Sequence, residues 1–277
     1  MADRQSLAST TVVSDTAPAS RAIVMLHGIY GRGRNWQAIA RAIVAARPDY
    51  ACWLVDLPYH AESPPARHGD SVNGIARDIE DWLVATAITP DVVLGHSYGG
   101  KVALALAGRD SALGSSHSAL QHHIWVIDST PEVKAPSGSA WDMLRIVRHL
   151  PSRFDTRDEA VSAIVSSGFT PGVAQWMATN LVRDDGQFVW RLDFDRMERL
   201  LQDFFRTDLW PIVEDPARPH VVHFLKATRS SAMSDHAAAR IRALGHPRVH
   251  LHEREGGHWI HAEAPDVVTA LLVEHLP

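Results

Sequence analysis

The chain has one cysteine, Cys52, among 277 residues. No internal disulfide can form, so no oxidising compartment is required. Long apolar runs are missing as well. No segment approaches the ~18 consecutive apolar residues of a membrane-spanning helix, so no membrane span is expected. The opening MADRQSLASTTVVSDTAPAS lacks the unbroken apolar core of a secretory signal. A soluble, cytoplasmic protein is the expectation. Positive charge is not in excess: the net charge of −5 gives no electrostatic case for a nucleic-acid partner. There is no internal repeat. The histidine pairs His122/His123 and His250/His252 lack an evident third ligand, so no metal is expected there.

What is present is a rhythm of short apolar runs and helical spacings. AIVMLHG, YACWLVDLP, DVVLGHS and HIWVID read as buried strands. Between them, NWQAIARAIVAARPDY, GIARDIEDWLVATAI and GGKVALALAG read as helices. Such alternation predicts an α/β fold whose mostly parallel sheet has helices on both faces. After Asp128 the rhythm breaks. Residues 131–215 contain helical stretches such as SAWDMLRIVRHL and MERLLQDFF but no clear buried strand. Alternation returns with HVVHFL, DHAAARIRAL, RVHLHE and APDVVTALLVEHL. The expected organisation is a flexible N-terminal segment over 1–20, with one short strand at TTVV, and a core domain over 21–130 and 216–277. A helical cap over 131–215 is inserted into that core.

Three motifs carry chemistry. GHSYGG (95–100) places Ser97 between a strand and a helix of small residues, where a sharp turn would lift its hydroxyl above the strand ends. Gly95 and Gly99 would spare that turn a side-chain collision, and Gly100 would let the helix pack closely on the sheet. LHGIYGRGRNW (26–36) follows the first strand of the series and can aim the Ile29 N–H at Ser97. With the Tyr98 N–H it would form an oxyanion hole. A phosphate-binding loop is the competing reading, but no Lys-Ser/Thr pair and no G-x-G-x-x-G spacing is present. EGGHWIHAEAP (255–265) puts His258 in a loop after the last strand, where a general base can approach Ser97. His261 belongs to the following loop or helix.

These motifs resemble the α/β-hydrolase superfamily and, within it, the small esterases and thioesterases of the YbfF and ABHD11 type. The likeness runs over residues 22–277 and rests on LHGIYGRGRNW, GHSYGGKVALALA, VIDSTP, GQFVWRLDF and GGHWIHAEAPDVV. It implies an α/β-hydrolase fold with a helical cap, and a cofactor-free Ser-His-acid mechanism. Where such enzymes have a turn glycine after the second strand, this chain has Tyr59 in DLPYHAES, so that loop is expected to differ.

The acid is the less obvious member. In most of the superfamily it follows the strand here read as HVVHFL, but in FLKATRS that place falls on Ser230, which cannot supply an anion. Asp235 comes five residues later, where a helix start accounts for an acidic side chain. Asp128 ends HIWVID, next to the strand that carries Ser97, and the resembled esterases carry their acid there. Asp128 is therefore preferred as the acid and Asp235 is the alternative. Ser230 is either triad support or an ordinary loop serine.

The expected function is hydrolysis of a small-molecule carboxylic ester or thioester through an acyl-enzyme. Two rivals stay open: a carbon–carbon bond hydrolase acting on a diketone, and a noncatalytic hydrolase-fold binding protein. Trp141, Phe169, Trp176, Trp190, Phe204 and Phe205 either line an acyl pocket or pack the cap onto the core. Lys101 is expected to be a solvated helix residue. Arg32, Arg34 and Arg229, near the expected mouth, either meet an anionic substrate or are ordinary surface arginines. A homo-oligomer is left open.

Overall fold

The computed structural model describes residues 6–109 and 122–277. Strand β1 (Ser9–Val12) is followed by β2 (Arg21–Leu26), helix α1 (Gln37–Ala46), β3 (Tyr50–Val55), α2 (Val72–Thr86), β4 (Val92–His96), α3 (Tyr98–Ala107) and β5 (His123–Ile127). After an intervening segment come β9 (Val221–Ala227), α9 (Asp235–Ala243), β10 (Val249–Arg254), the short α10 (Ile260–Glu263) and α11 (Pro265–Glu274). The seven strands form one sheet in the order β1-β3-β2-β4-β5-β9-β10. All pairings are parallel except β1 with β3. Parallel strands need both faces covered, and the continuous apolar runs answer that need. Val24, Val93, Val126 and Phe224 face one core cluster, while Met25, Leu94, Trp125 and Leu225 face another under α1 and α11.

The segment between β5 and β9 contains α4 (Ser139–Val147), β6 (Arg153–Phe154), α5 (Arg157–Ser166), α6 (Pro171–Ala178), β7 (Leu181–Asp184), β8 (Gln187–Trp190), α7 (Phe194–Arg206) and α8 (Trp210–Glu214). The helices expected here are present. The sequence did not show that β6, β8 and β7 accompany them as a three-stranded antiparallel sheet. Its strands are two to four residues long and only half buried, too short for an alternating pattern to stand out. Helix α7 buries Met197, Leu200, Leu201, Phe204 and Phe205, the i, i+3, i+4, i+7, i+8 stripe of an amphipathic helix. Asp193 caps it, accepting from the Arg196 N–H at 3.0 Å.

Residues 1–5 lie outside the described residues, but 9–12 are held in the main sheet, with Ser9 opposite Val55 and Val12 opposite Cys52. The strand expected at TTVV is thus an edge strand, shifted by one residue. The Tyr59 loop adopts the backbone a glycine would favour: Tyr59 has φ +69°. Its hydroxyl donates to Asp70 at 2.5 Å and the Arg196 guanidinium lies 4.1 Å from its ring centroid, contacts that hold the strained residue in place.

Histidine is heavily buried. His27, His60, His223 and His261 are all nearly inaccessible. Burial disfavours the imidazolium, lowering His27 to about 4 and His60 and His261 to about 3, with His223 also strongly lowered. The dispersed histidines of β5, β9 and β10 meet here. His223 shares one hydrogen bond with His252 (3.1 Å) and another with His123 (3.2 Å), and stacks on Trp125 at 4.3 Å.

Two predictions follow from this packing. Each buried histidine takes up a proton on unfolding below its ordinary pKa of 6.5, so stability is complete above about pH 6.5 and falls as pH drops toward the lowered folded values. Each such histidine contributes a slope of about 1.4 kcal/mol per pH unit, and urea midpoints measured from pH 7.5 to 4.5 should fall steeply below 6.5. Secondly, a Cβ at Gly99 would stand 2.4 Å from the His27 carbonyl oxygen, whereas one at Gly172 would meet nothing within 4 Å. Gly99→Ala should therefore destabilise by about 1–3 kcal/mol or more, and Gly172→Ala, inside α6, should be neutral or stabilising by up to about 1 kcal/mol.

Candidate active site

The parallel strands end along one edge of the sheet, where ligand sites of open α/β folds gather. Ser97 follows β4 directly, with φ +53° and ψ −117°, a conformation that costs an L-residue of order 1–3 kcal/mol. The turn is tight enough to exclude side chains. A Cβ on Gly95 would lie 2.1 Å from the Gly99 carbonyl oxygen, and one on Gly100 would lie 2.9 Å from that of Gly95. The three glycines thus have the steric roles their spacing predicts.

Asp128 follows β5, also at positive φ (+45°), and is fully buried. His258 lies in the loop after β10. Its Nδ1–H donates to Asp128 Oδ2 at 2.7 Å, and the Ser97 hydroxyl donates to His258 Nε2 at 3.1 Å. A neutral imidazole whose Nδ1 faces a carboxylate carries its proton there, leaving Nε2 free to accept. Two further donors reach Asp128: the Ala227 N–H to Oδ1 at 3.0 Å and the Ser230 hydroxyl to Oδ2 at 2.5 Å. Ser230 therefore touches the preferred acid from the later loop. Asp235, the alternative, is elsewhere. It opens α9, its side chain is 99% exposed, and it pairs with Lys226 at 3.0 Å.

The oxyanion candidates stand at both sides of Ser97. The Ile29 N–H and the Tyr98 N–H at the start of α3 find no acceptor among the described residues. The Gly28–Ile29 peptide is held by its carbonyl, which accepts from the Gly31 N–H at 3.0 Å and from His27 Nδ1–H at 2.7 Å. His27 can donate only from Nδ1, because its Nε2 accepts from the Leu57 N–H at 2.9 Å. Tyr30, at φ +65°, is tied to the segment beyond β5. Asn180 Nδ2 donates to its carbonyl at 2.8 Å, and its phenol donates to the Ala140 carbonyl at 3.0 Å.

His96, which precedes Ser97, was not singled out by the sequence. It is buried, and its Nε2–H donates to the His258 carbonyl at 2.6 Å. Desolvation, with neighbouring His261 and His258, holds its pKa well below the ordinary value. It therefore stays neutral and steadies the His258 loop. His261 packs on it, with ring centroids 4.2 Å apart.

Two small cavities flank the serine. One, of ≈ 30 Å³, lies between Tyr98, Leu201, Phe204, Phe205 and Ser230. The other, of ≈ 10 Å³, lies beside Ile29, Tyr30, Trp176 and Trp259. Each has room for little more than a water molecule. Of the expected aromatics, Phe204, Phe205 and Trp176 line these cavities. Trp141 packs on Phe205 and Phe169 on Trp259, while Trp190 packs on Phe154 and Phe194. The arginines near the mouth are largely engaged. Arg32 donates to the Thr179 carbonyl and Arg229 pairs with Glu255 at 2.6 Å, while Arg34 is exposed. Lys101 corrects its expectation outright: it is fully buried, because α7 closes over it.

Comparison with known proteins agrees with this architecture. A model of the alpha/beta hydrolase family matches residues 23–271. The mouse sn-1-specific diacylglycerol lipase ABHD11 is 27% identical over 264 residues, spanning 91% of this chain and 80% of the mouse protein. The esterase YbfF of Escherichia coli K12 is 25% identical over 262 residues, 92% of each chain. A solved marine microorganism esterase superposes with a TM-score of 0.81 at 21% identity, over 98% of this chain and all of its own. Among the described residues no helix is long and apolar enough to cross a membrane. With its parallel sheet, its serine turn and a family match over nearly its whole length, the chain belongs to the alpha/beta hydrolase family.

Proposed function

We propose that the protein hydrolyses a small-molecule carboxylic ester or thioester through a covalent acyl-enzyme on Ser97. The observation that carries this reading is the hydrogen-bonded series Ser97–His258–Asp128, with steps of 3.1 and 2.7 Å, at the carboxyl edge of the sheet. That Ser97–His258 spacing is within the reach expected of a nucleophile and its base. The names of the mouse and bacterial relatives, a diacylglycerol lipase and an esterase, favour an ester substrate.

In this mechanism Ser97 Oγ attacks the substrate carbonyl as His258 Nε2 takes its proton. Asp128 stabilises the imidazolium and keeps the ring in the required tautomer. The N–H groups of Ile29 and Tyr98 donate hydrogen bonds to the carbonyl oxygen as its negative charge develops, each worth about 100-fold to 1000-fold in rate. Collapse expels the alcohol or thiol, which takes the proton from His258. A water molecule, deprotonated by His258, then attacks the acyl carbon; the bond to Ser97 Oγ breaks, His258 returns the proton to that oxygen, and the acid leaves. Ser230 holds Asp128 in place. No metal or organic cofactor takes part in this scheme.

Residues 131–215 form the cap in this reading. It closes over Ser97 through α7 and is tied to the Ile29–Tyr30 loop by Asn180. A cytoplasmic location, in keeping with the single unpaired Cys52, is part of the same proposal.

Turnover of nitrophenyl esters and acyl-CoAs by the purified protein is the primary test, with a ring-cleavage dienoate in the panel. Loss of all ester and thioester turnover would overturn the reading, and turnover of the dienoate alone would favour the carbon–carbon hydrolase. The acid is tested separately. Asp128→Asn should lower kcat by about 10³–10⁴-fold, as removal of the carboxylate behind a catalytic histidine does elsewhere. Asp235→Asn should stay within about threefold of the unmodified enzyme, since the Asp235 carboxylate is exposed and touches Lys226 rather than Ser97 or His258. The reverse pattern would transfer the role to Asp235.

A further inference from the structure

Lys101 is a buried cation that the proposed chemistry does not use. It lies one helical turn beyond Ser97 on α3 and has no solvent exposure. Its ammonium donates to the Phe204 carbonyl at 2.7 Å and to the Glu132 carbonyl at 2.9 Å. It also stands 4.7 Å from the centroid of the Phe204 ring. Phe204 is in the last turn of α7, where a helix leaves its carbonyls without internal partners and presents its negative dipole end. No carboxylate is within ion-pair distance of this ammonium among the described residues. A buried, unpaired cation costs several kcal/mol, and an apolar chain of similar shape would fill the same space at lower cost. The position makes sense if the ammonium fixes something that packing alone would leave loose.

What it fixes is one wall of the cavity beside Ser97. Phe204 lines that cavity with Leu201, Phe205 and Tyr98. Its ring lies 6.1 Å from that of Tyr98 and meets Phe205 edge-on at 5.3 Å. With Phe204 held by both its carbonyl and its ring face, only ≈ 30 Å³ remains. Even the smallest acyl group fills a void of that size, whereas a long chain requires Phe204 to move.

We infer that Lys101 is a specificity-determining residue that limits acyl-chain length by clamping Phe204 across the pocket beside Ser97. The inference rests on the acyl-transfer reading above. Lys101 touches no reacting atom and acts through Phe204.

The test is the ratio of kcat/KM for nitrophenyl octanoate to that for nitrophenyl acetate. In Lys101→Met, which keeps the length of the side chain and removes the charge, the ratio should rise by about tenfold, equivalent to about 1.4 kcal/mol. A folded variant whose two activities fall in parallel would overturn the inference and leave Lys101 a purely structural residue. Titration of the unmodified enzyme covers the case in which that variant does not fold. Burial lowers Lys101 to about 7, against the opposing pull of Glu132, Asp203 and Asp208, with Lys134 adding to the lowering. The ammonium is present below that pH and lost above it, so the octanoate-to-acetate ratio should rise between pH 6 and 8.5. Any pH effect on the acyl-transfer step itself is common to both substrates and cancels in the ratio, and a flat ratio would overturn the inference. Absence of turnover with either ester would instead remove the acyl-transfer reading, and this inference with it.

Discussion

The carboxylate of Asp128 has no contact with solvent, and it accepts hydrogen bonds from three separate parts of the chain. A buried carboxylate is tolerated only when its lone pairs are occupied, and removing one donor leaves a desolvated charge. The Ala227 amide ends β9, the Ser230 hydroxyl comes from the turn beyond it, and the His258 imidazole comes from the loop after β10. Burying Asp128 thus requires β5, β9 and that loop to assemble together. The same requirement brings His258 to Ser97. In this fold the placement of the Asp128 carboxylate and the order of the strands are one constraint.

Around this anchor, strain and restraint are concentrated near Ser97. Ser97, Asp128 and Tyr30 all have positive φ, and each is held by contacts beyond its own turn. Gly95 and Gly99 are demanded by carbonyl oxygens within 2.4 Å of a would-be Cβ. His27 and His96 hold neighbouring carbonyls as neutral donors, which burial ensures. The segment beyond β5 takes part in the same scheme, since Asn180 and Ala140 fix Tyr30 while Lys101 fixes Phe204. Opening this segment would disturb both the Ile29–Tyr30 loop and the Phe204 wall of the cavity beside Ser97.

Much of this was legible in the sequence because it is local. VVLGH followed by SYGG encodes a buried strand, a sharp turn and a close-packed helix within ten residues. The preference for Asp128 followed from strand order and from the resemblance to small esterases, which carry their acid there and a serine at the later position; the structure brings Asp128 and Ser230 into contact. Lys101 was not legible. GGKVALALA looks like an ordinary helix with one polar residue, and its burial depends on carbonyls at Phe204 and Glu132, distant in sequence. The strands at 153–154, 181–184 and 187–190 were hidden for a related reason. Their pairing across a small, half-exposed sheet leaves almost no hydrophobic period. The edge strand β1 was legible only as a brief β-branched run, since most of its residues are exposed.

Ser97 is proposed as the nucleophile, made reactive by His258 and Asp128. Fluorophosphonate labelling, with the modified peptide located by mass spectrometry, tests it most directly because the reagent reports on serine reactivity whatever the natural substrate is. The expected result is one phosphonyl group per chain, carried by Ser97. Labelling of Ser230, Ser129 or another serine in its place, or no labelling of the folded protein, would contradict the claim.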